Sequence, residues 1–127
     1  MNDNLTVLYV EPKKLPKQIT IKNTLEEKQK LVGGLIEYTS LIDDNSVLLI
    51  CNEEGKILGL PYNRDIGHDI IAGPFILVGN DQRLGEDISL TEEQIKKYTN
   101  VFKEKSIKDT ENKILSILLK QKDSIEI

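Results

Sequence analysis

The residues best equipped for chemistry fall in one stretch, Leu60 to Gly73, which gathers Tyr62, Asn63, Arg64, Asp65, His68 and Asp69. Together they offer a stacking ring, an amide, a guanidinium, an imidazole and carboxylates. Such a set could hold a small polar or phosphorylated molecule, with Arg64 facing an anion and Tyr62 stacking on a base. His68 with Asp69 could do acid–base work, but neighbours in a strand point to opposite faces and need not meet. The same residues also suit a plain polar surface loop, in which Asn63 and Asp65 serve turn geometry. A second polar loop, Asn80-Asp81-Gln82-Arg83, adds the only other arginine of the chain. Arginine grips anions bidentately where lysine is a point charge. If the strands before these loops are neighbours, the loops share one rim. The candidate ligand-binding set is therefore Tyr62, Asn63, Arg64, His68 and Arg83.

Beyond this set, little chemistry is available. The chain has one histidine and one cysteine, so no pair stands at metal-ligand spacing. Cys51 ends an aliphatic run and reads as a small buried hydrophobe. The doublets Asp43-Asp44 and Glu53-Glu54 lack the alternating oxygen ligands of a calcium loop and read as solvated turns. No nucleophile elbow, phosphate-binding loop or dinucleotide fingerprint occurs. The expectation is a protein without catalytic residues, metal or cofactor. The formal net charge of −4 argues against duplex nucleic acid, which requires a basic face. No apolar stretch approaches the roughly 20 residues of a membrane span, and the first residues lack a signal-peptide pattern. A cytoplasmic location in the host cell is the expectation.

The elements that must position these residues are short. Leu5 to Val10 reads as a strand, Pro12 to Lys17 as a turn or loop, and Ile19 to Ile21 as a second strand. Thr24 and Glu27 stand at capping-box spacing before a helix that Gly33-Gly34 ends. Leu25, Gln29 and Val32 are expected on its inner stripe. Leu35 to Leu41 and Val47 to Cys51 read as strands, the latter central and covered on both faces because it is nearly all aliphatic. Asn52 to Gly55 is expected as a tight hairpin loop with Gly55 at positive φ, returning through a strand at Lys56 to Leu60. Phe75 to Val78 is a further strand, entered through a Gly-Pro break that suggests a bend or an edge. Thr91 and Gln94 form a second capping box, with Leu90 and Ile95 as a hydrophobic staple. A last helix, from about Asp109 to Gln121, carries Ile114, Leu115, Ile117, Leu118 and Leu119. It either docks on the sheet or joins a second copy in an oligomer. Hairpins with flanking helices indicate a single α+β domain over residues 1–127, with a mainly antiparallel sheet, one helix near the N-terminus and two at the C-terminal end.

Three runs in order carry a family resemblance: Thr24-Leu25-Glu26 with Leu31-Val32-Gly33-Gly34-Leu35-Ile36-Glu37; Asn52-Glu53-Glu54-Gly55-Lys56 with Gly59-Leu60-Pro61-Tyr62-Asn63-Arg64; and Asp69-Ile70-Ile71-Ala72-Gly73-Pro74-Phe75 with Val78-Gly79. In this order the chain resembles a family of small uncharacterised proteins from phages, plasmids and conjugative elements of Firmicutes. The resemblance covers residues 5–102 and leaves the segment 107–121 outside it. It implies a non-enzymatic accessory protein that antagonises host defence, either by binding a host defence protein or by sequestering a small nucleotide signal. The alternatives are a small nucleotide hydrolase using His68 and nearby carboxylates, and a plain protein–protein interaction module.

Overall fold

The computed structural model describes residues 3–104, together with 115 and 117–119. Over residues 4–104 the elements are β1 (Asn4–Val10), β2 (Lys17–Lys22), α1 (Leu25–Val32), β3 (Ile36–Leu41), β4 (Asp44–Asn52), β5 (Tyr62–Asp65), β6 (Ile70–Ala72), β7 (Phe75–Asp81), β8 (Glu86–Ile88) and α2 (Glu92–Glu104). The expected α+β architecture with a mainly antiparallel sheet is what forms. The main sheet runs β2-β1-β7-β4-β3, with β8 also paired to β7, and every pairing is antiparallel. Leu77 faces both Leu8 and Leu49, and Gly79 faces both Val47 and Ile88. β1 and β8 therefore follow one another along the side of β7 opposite β4.

Alternation along the central strands divides the core into two layers. Leu8, Val10, Val47, Leu49, Phe75 and Leu77 pack under α2 and the β5–β6 hairpin, with Ile66, Ile71, Tyr98 and Phe102. Leu5, Val7, Ile50, Ile76 and Val78 pack on the opposite face with Leu31 of α1. Both central strands are thus covered on both sides, as the run Val47 to Cys51 predicts.

The caps form as their spacing dictates. Thr24 Oγ1 accepts from the Glu27 amide at 3.2 Å, and Gly33 closes α1 at φ 82°. Thr91 and Gln94 bond reciprocally, at 3.1 and 2.9 Å, while Leu90 and Ile95 enter one cluster. The inner stripe of α1 differs from expectation: Lys28 and Val32 are buried and Leu25 is exposed. Lys28 is tolerated on the inner face because its ammonium is held there by Asp87 and Asn23.

Four further expectations are corrected. Residues 53–59 form successive turns, not a hairpin loop with a returning strand at Lys56 to Leu60; Leu58 donates to Glu54 O and Leu60 to Gly55 O. Gly55 serves close approach and not positive φ, since a Cβ there would lie 2.5 Å from the Ala72 carbonyl oxygen. The polar stretch after Pro61 is itself a hairpin, β5 with β6. β7 follows the Gly-Pro bend and sits centrally; it continues to Asp81 and turns into β8, within a segment that reads as loop in the sequence. The C-terminal helix expected at 107–121 lies largely outside the described residues; Leu115 and Ile117 to Leu119 are helical and exposed. No described helix is long and apolar enough to cross a membrane.

Candidate functional site

The five residues of the sequence-derived set do not converge. Asn63 and Arg64 are buried, and a bulge between Tyr62 and Arg64 turns these two neighbours inward together. Asn63 Nδ2 donates to Val10 O (2.8 Å) and Gly73 O (2.9 Å). Arg64 donates through Nε to Phe102 O (3.0 Å), through Nη1 to Asn63 O (3.2 Å) and Oδ1 (2.8 Å), and through Nη2 to Lys14 O (2.6 Å). These four acceptors are carbonyl oxygens of the chain itself, where the sequence led us to expect an anion. Phe102 lies in the last turn of α2, so its carbonyl is one of those a helix leaves without an internal donor. Arg64 caps that end. Burial pushes its pKa below the ordinary value.

Tyr62 and His68 stay exposed at different points of the hairpin. His68 Nε2 lies 3.5 Å from Thr39 Oγ1, while Asp69 accepts from Lys56 Nζ at 2.5 Å and from the Ile70 amide. The Asp69 carboxylate is thus engaged by a lysine. Arg83 follows the far end of β7. Arg64 sits by the near end, where Val10 pairs with Phe75. Seven strand residues, about 20 Å, separate the two. The loops of Arg64 and Arg83 therefore do not share a rim. Burial first, then the charges of Glu37 and Asp69, push the Cys51 thiol up to about 11 despite Lys56. It is a protonated core residue at neutral pH. Among the described residues, no group of three His, Cys, Asp or Glu is placed to hold a metal ion.

What the structure does assemble is a strand edge. β2, at one end of the sheet, is guarded by Lys17 and Lys22; β3, at the other, carries Glu37 as its only charge. Lysines discourage pairing with foreign strands. The Glu53 amide donates to Leu35 O at 2.8 Å, which makes Leu35 and Glu53 a hydrogen-bonded pair. Pairs then alternate along the register: Glu37 with Cys51 and Thr39 with Leu49 exchange bonds. Ile36, Tyr38 and Ser40 point their N–H and C=O groups away from β4. Among the described residues no strand pairs with that outer side. A bulge between Ser40 and Leu41 ends the regular run.

Three cavities include residues of β3, but the one on the α1 face lies across the sheet towards β1 and β8 and takes only Tyr38 from this strand. On the α1 face, Tyr38 lines a polar cavity of about 390 Å³ with Asp3, Asn23, Lys28, Glu86 and Asp87. There Lys28 Nζ contacts Asp87 Oδ2 (2.6 Å) and Asn23 Oδ1 (2.9 Å), and the Tyr38 hydroxyl donates to the same Asp87 oxygen (2.6 Å). On the other face, Glu37, Cys51, Ile57 and Ile70 line a cavity of about 230 Å³. Leu41, Ile42, Ile66 and Tyr98 line an apolar one of about 310 Å³. Ile57 (84%) and Ile42 (59%) are among the exposed large hydrophobics. Sequence reasoning missed this site because its acidic members, Asp3, Glu37 and Glu86-Asp87, come from three separated segments. The available signal was a strand with one charge between two apolar termini, Leu35 and Ile42.

Burial, then the hydrogen bond and charge of Asp87, push the Tyr38 phenol well above its ordinary 10.0. Burial and Asp44 do the same to Tyr98, and burial and Glu11 raise Tyr9. A phenol whose folded pKa is raised stabilises the fold fully below its unfolded pKa and loses that contribution as pH rises beyond it. Stability is therefore expected to fall above pH 10. Tyrosinate absorbance from Tyr9, Tyr38 and Tyr98 should appear together with loss of far-ultraviolet dichroism; ionisation of all three in a still-folded chain would contradict the placement.

No curated protein and no solved structure matches the chain. The model of a domain of unknown function, DUF3846, matches residues 5–103, nearly the span that carries the resemblance in the sequence. The chain belongs to the DUF3846 family.

Proposed function

We propose that this chain is a non-enzymatic binding protein of a phage or mobile element, acting in the host cytoplasm on a host defence protein. It works by accepting a strand of its partner along β3. The observation that carries this reading is the outer edge of β3, with backbone groups of Ile36, Tyr38 and Ser40 turned outward and a cavity beside Glu37 on one face. In strand addition, main-chain bonds supply affinity and alternate side-chain pockets supply specificity. A protein target is favoured over a nucleotide because Asn63 and Arg64 are spent inside the fold, while Tyr62, His68 and Arg83 stand apart.

Ser40→Pro tests it. Proline is tolerated where a strand N–H faces away from its neighbour, so the sheet should survive. The variant loses an outward donor and should bind the partner at least about tenfold more weakly, since about 1.4 kcal/mol is tenfold. Hydrogen exchange with a purified host partner should show the amides of Ile36, Tyr38 and Ser40 becoming protected. Protection confined to β2 or to the Arg83 turn would refute strand addition at β3.

A further inference from the structure

An apolar groove lies beside α2. Leu41 and Ile42 at the end of β3, Ile66 in the β5–β6 turn, and Tyr98, Val101 and Phe102 of α2 line about 310 Å³. The one charge on this lining, Lys97, is drawn to Asp44 at 3.6 Å. No described residue beyond Phe102 borders the groove. The chain carries a segment that matches it. Leu115, Ile117, Leu118 and Leu119 are helical, and each keeps 43–55% of its surface exposed. Leu115, Leu118 and Leu119 stand at i, i+3 and i+4 and share one helix face. A bare apolar face of this kind marks an interaction surface.

α2 ends at Glu104, and ten residues lead from there to Leu115. They reach at most about 36 Å, and the last turns of α2 line the groove. A tether so short sets an effective concentration on the order of millimolar, so the helix would take its own groove first if the connection let it turn back. In the structure the leucine face and the groove are both open. The groove of the same shape that remains belongs to a second copy.

We infer that this chain forms a dimer by exchanging C-terminal helices, the face of Leu115, Leu118 and Leu119 in one copy seated between Ile42 and Val101 of the other. An apolar helix face laid into an apolar groove is a recurring mode of recognition. Each copy gives a helix and takes one, so two equivalent contacts close about a two-fold axis. The inference goes beyond strand addition and does not rest on it. The groove takes only Leu41 from β3, past the bulge that ends the regular run, and leaves the outward groups of Ile36, Tyr38 and Ser40 unused. Such a dimer offers two β3 edges to a partner.

Sedimentation equilibrium of the full chain should show a monomer–dimer equilibrium. Leu118→Asp and Ile42→Asp, both at exposed positions, should each raise the dissociation constant at least about tenfold, with dichroism unchanged. Where dichroism shows Ile42→Asp to be unfolded, Ile42→Ser takes its place. The two variants complement one another: Leu118→Asp keeps a sound groove and Ile42→Asp a sound helix. Mixed with donor and acceptor labels, they should form a heterodimer through one intact contact, tighter than the dimer of either alone. Ser40→Pro should leave the wild-type dimer unchanged. A chain that stays monomeric up to about millimolar concentration overturns the inference. Exchange protection of the amides at 117–119 in that monomer places the helix in its own groove. Loss of the dimer in Leu118→Asp but not in Ile42→Asp, with no rescue on mixing, means that two helices pair with each other, and overturns it. A dimer that only Ser40→Pro breaks is joined at β3, and overturns it as well. The exchange experiment with a host partner reads the β3 amides and decides strand addition separately.

Discussion

Arg64→Ala is expected to destabilise the fold by about 2–5 kcal/mol, because it removes a buried side chain whose hydrogen bonds satisfy buried carbonyls. The side chain is only 3% exposed and makes four hydrogen bonds. Its truncation leaves the carbonyls of Phe102 and Lys14 without this donor, and each unsatisfied buried group costs about 1–3 kcal/mol. It also leaves a void between β5, α2 and the turn after β1. Arg64→Lys should recover little, since an ammonium cannot reach the directions that the guanidinium fork serves. Urea unfolding followed by dichroism measures both. A loss below about 1 kcal/mol for Arg64→Ala would show that the residue is free to serve as a ligand-binding cation after all.

Phe102→Ala should cost a similar amount, about 3–5 kcal/mol, by a different mechanism. Its ring is buried, with centroids 5.3 Å from Phe75 at an interplanar angle of 67° and 6.2 Å from Tyr98 at 29°. It fastens the end of α2 to the first residue of β7. Phe102→Leu, which keeps most of the volume, should lose much less. Because the backbone of Phe102 is bound by Arg64, the two alanine substitutions should not add: the double variant should be less destabilised than their sum. An additive pair would mean that the helix end is held independently of Arg64.

Much of the frame could be read from residue types alone. Strands β1, β4 and β7 follow from aliphatic runs, β3 from its mix of Ile36, Tyr38 and Thr39, and both helix starts follow from Thr24 and Thr91 with their partners three residues on. What escaped were features decided by tertiary contacts. Residues Lys56 to Leu60 look like a strand, yet they form turns closed by Leu58 donating to Glu54 O and Leu60 to Gly55 O, beside the close approach of Gly55 to Ala72. Lys28 on an inner helix face makes sense only with Asp87, 59 residues away. Arg64 and Asn63 looked like a polar lure for ligand because local sequence shows the donors but not the carbonyls that take them. The edge of β3 is legible only once the strand order is known, since a strand's sequence does not say which of its neighbours is missing.

The position of β7 also sets the order in which this molecule becomes a structure. β1 with β2 and β3 with β4 are local hairpins, each complete by residue 52. They have no pairing with each other until Phe75–Asp81 enters between β1 and β4. The aliphatic faces of both hairpins therefore wait for the strand that joins them, and the sheet closes from its middle. Such late, long-range pairing slows folding and prolongs the exposure of apolar strands.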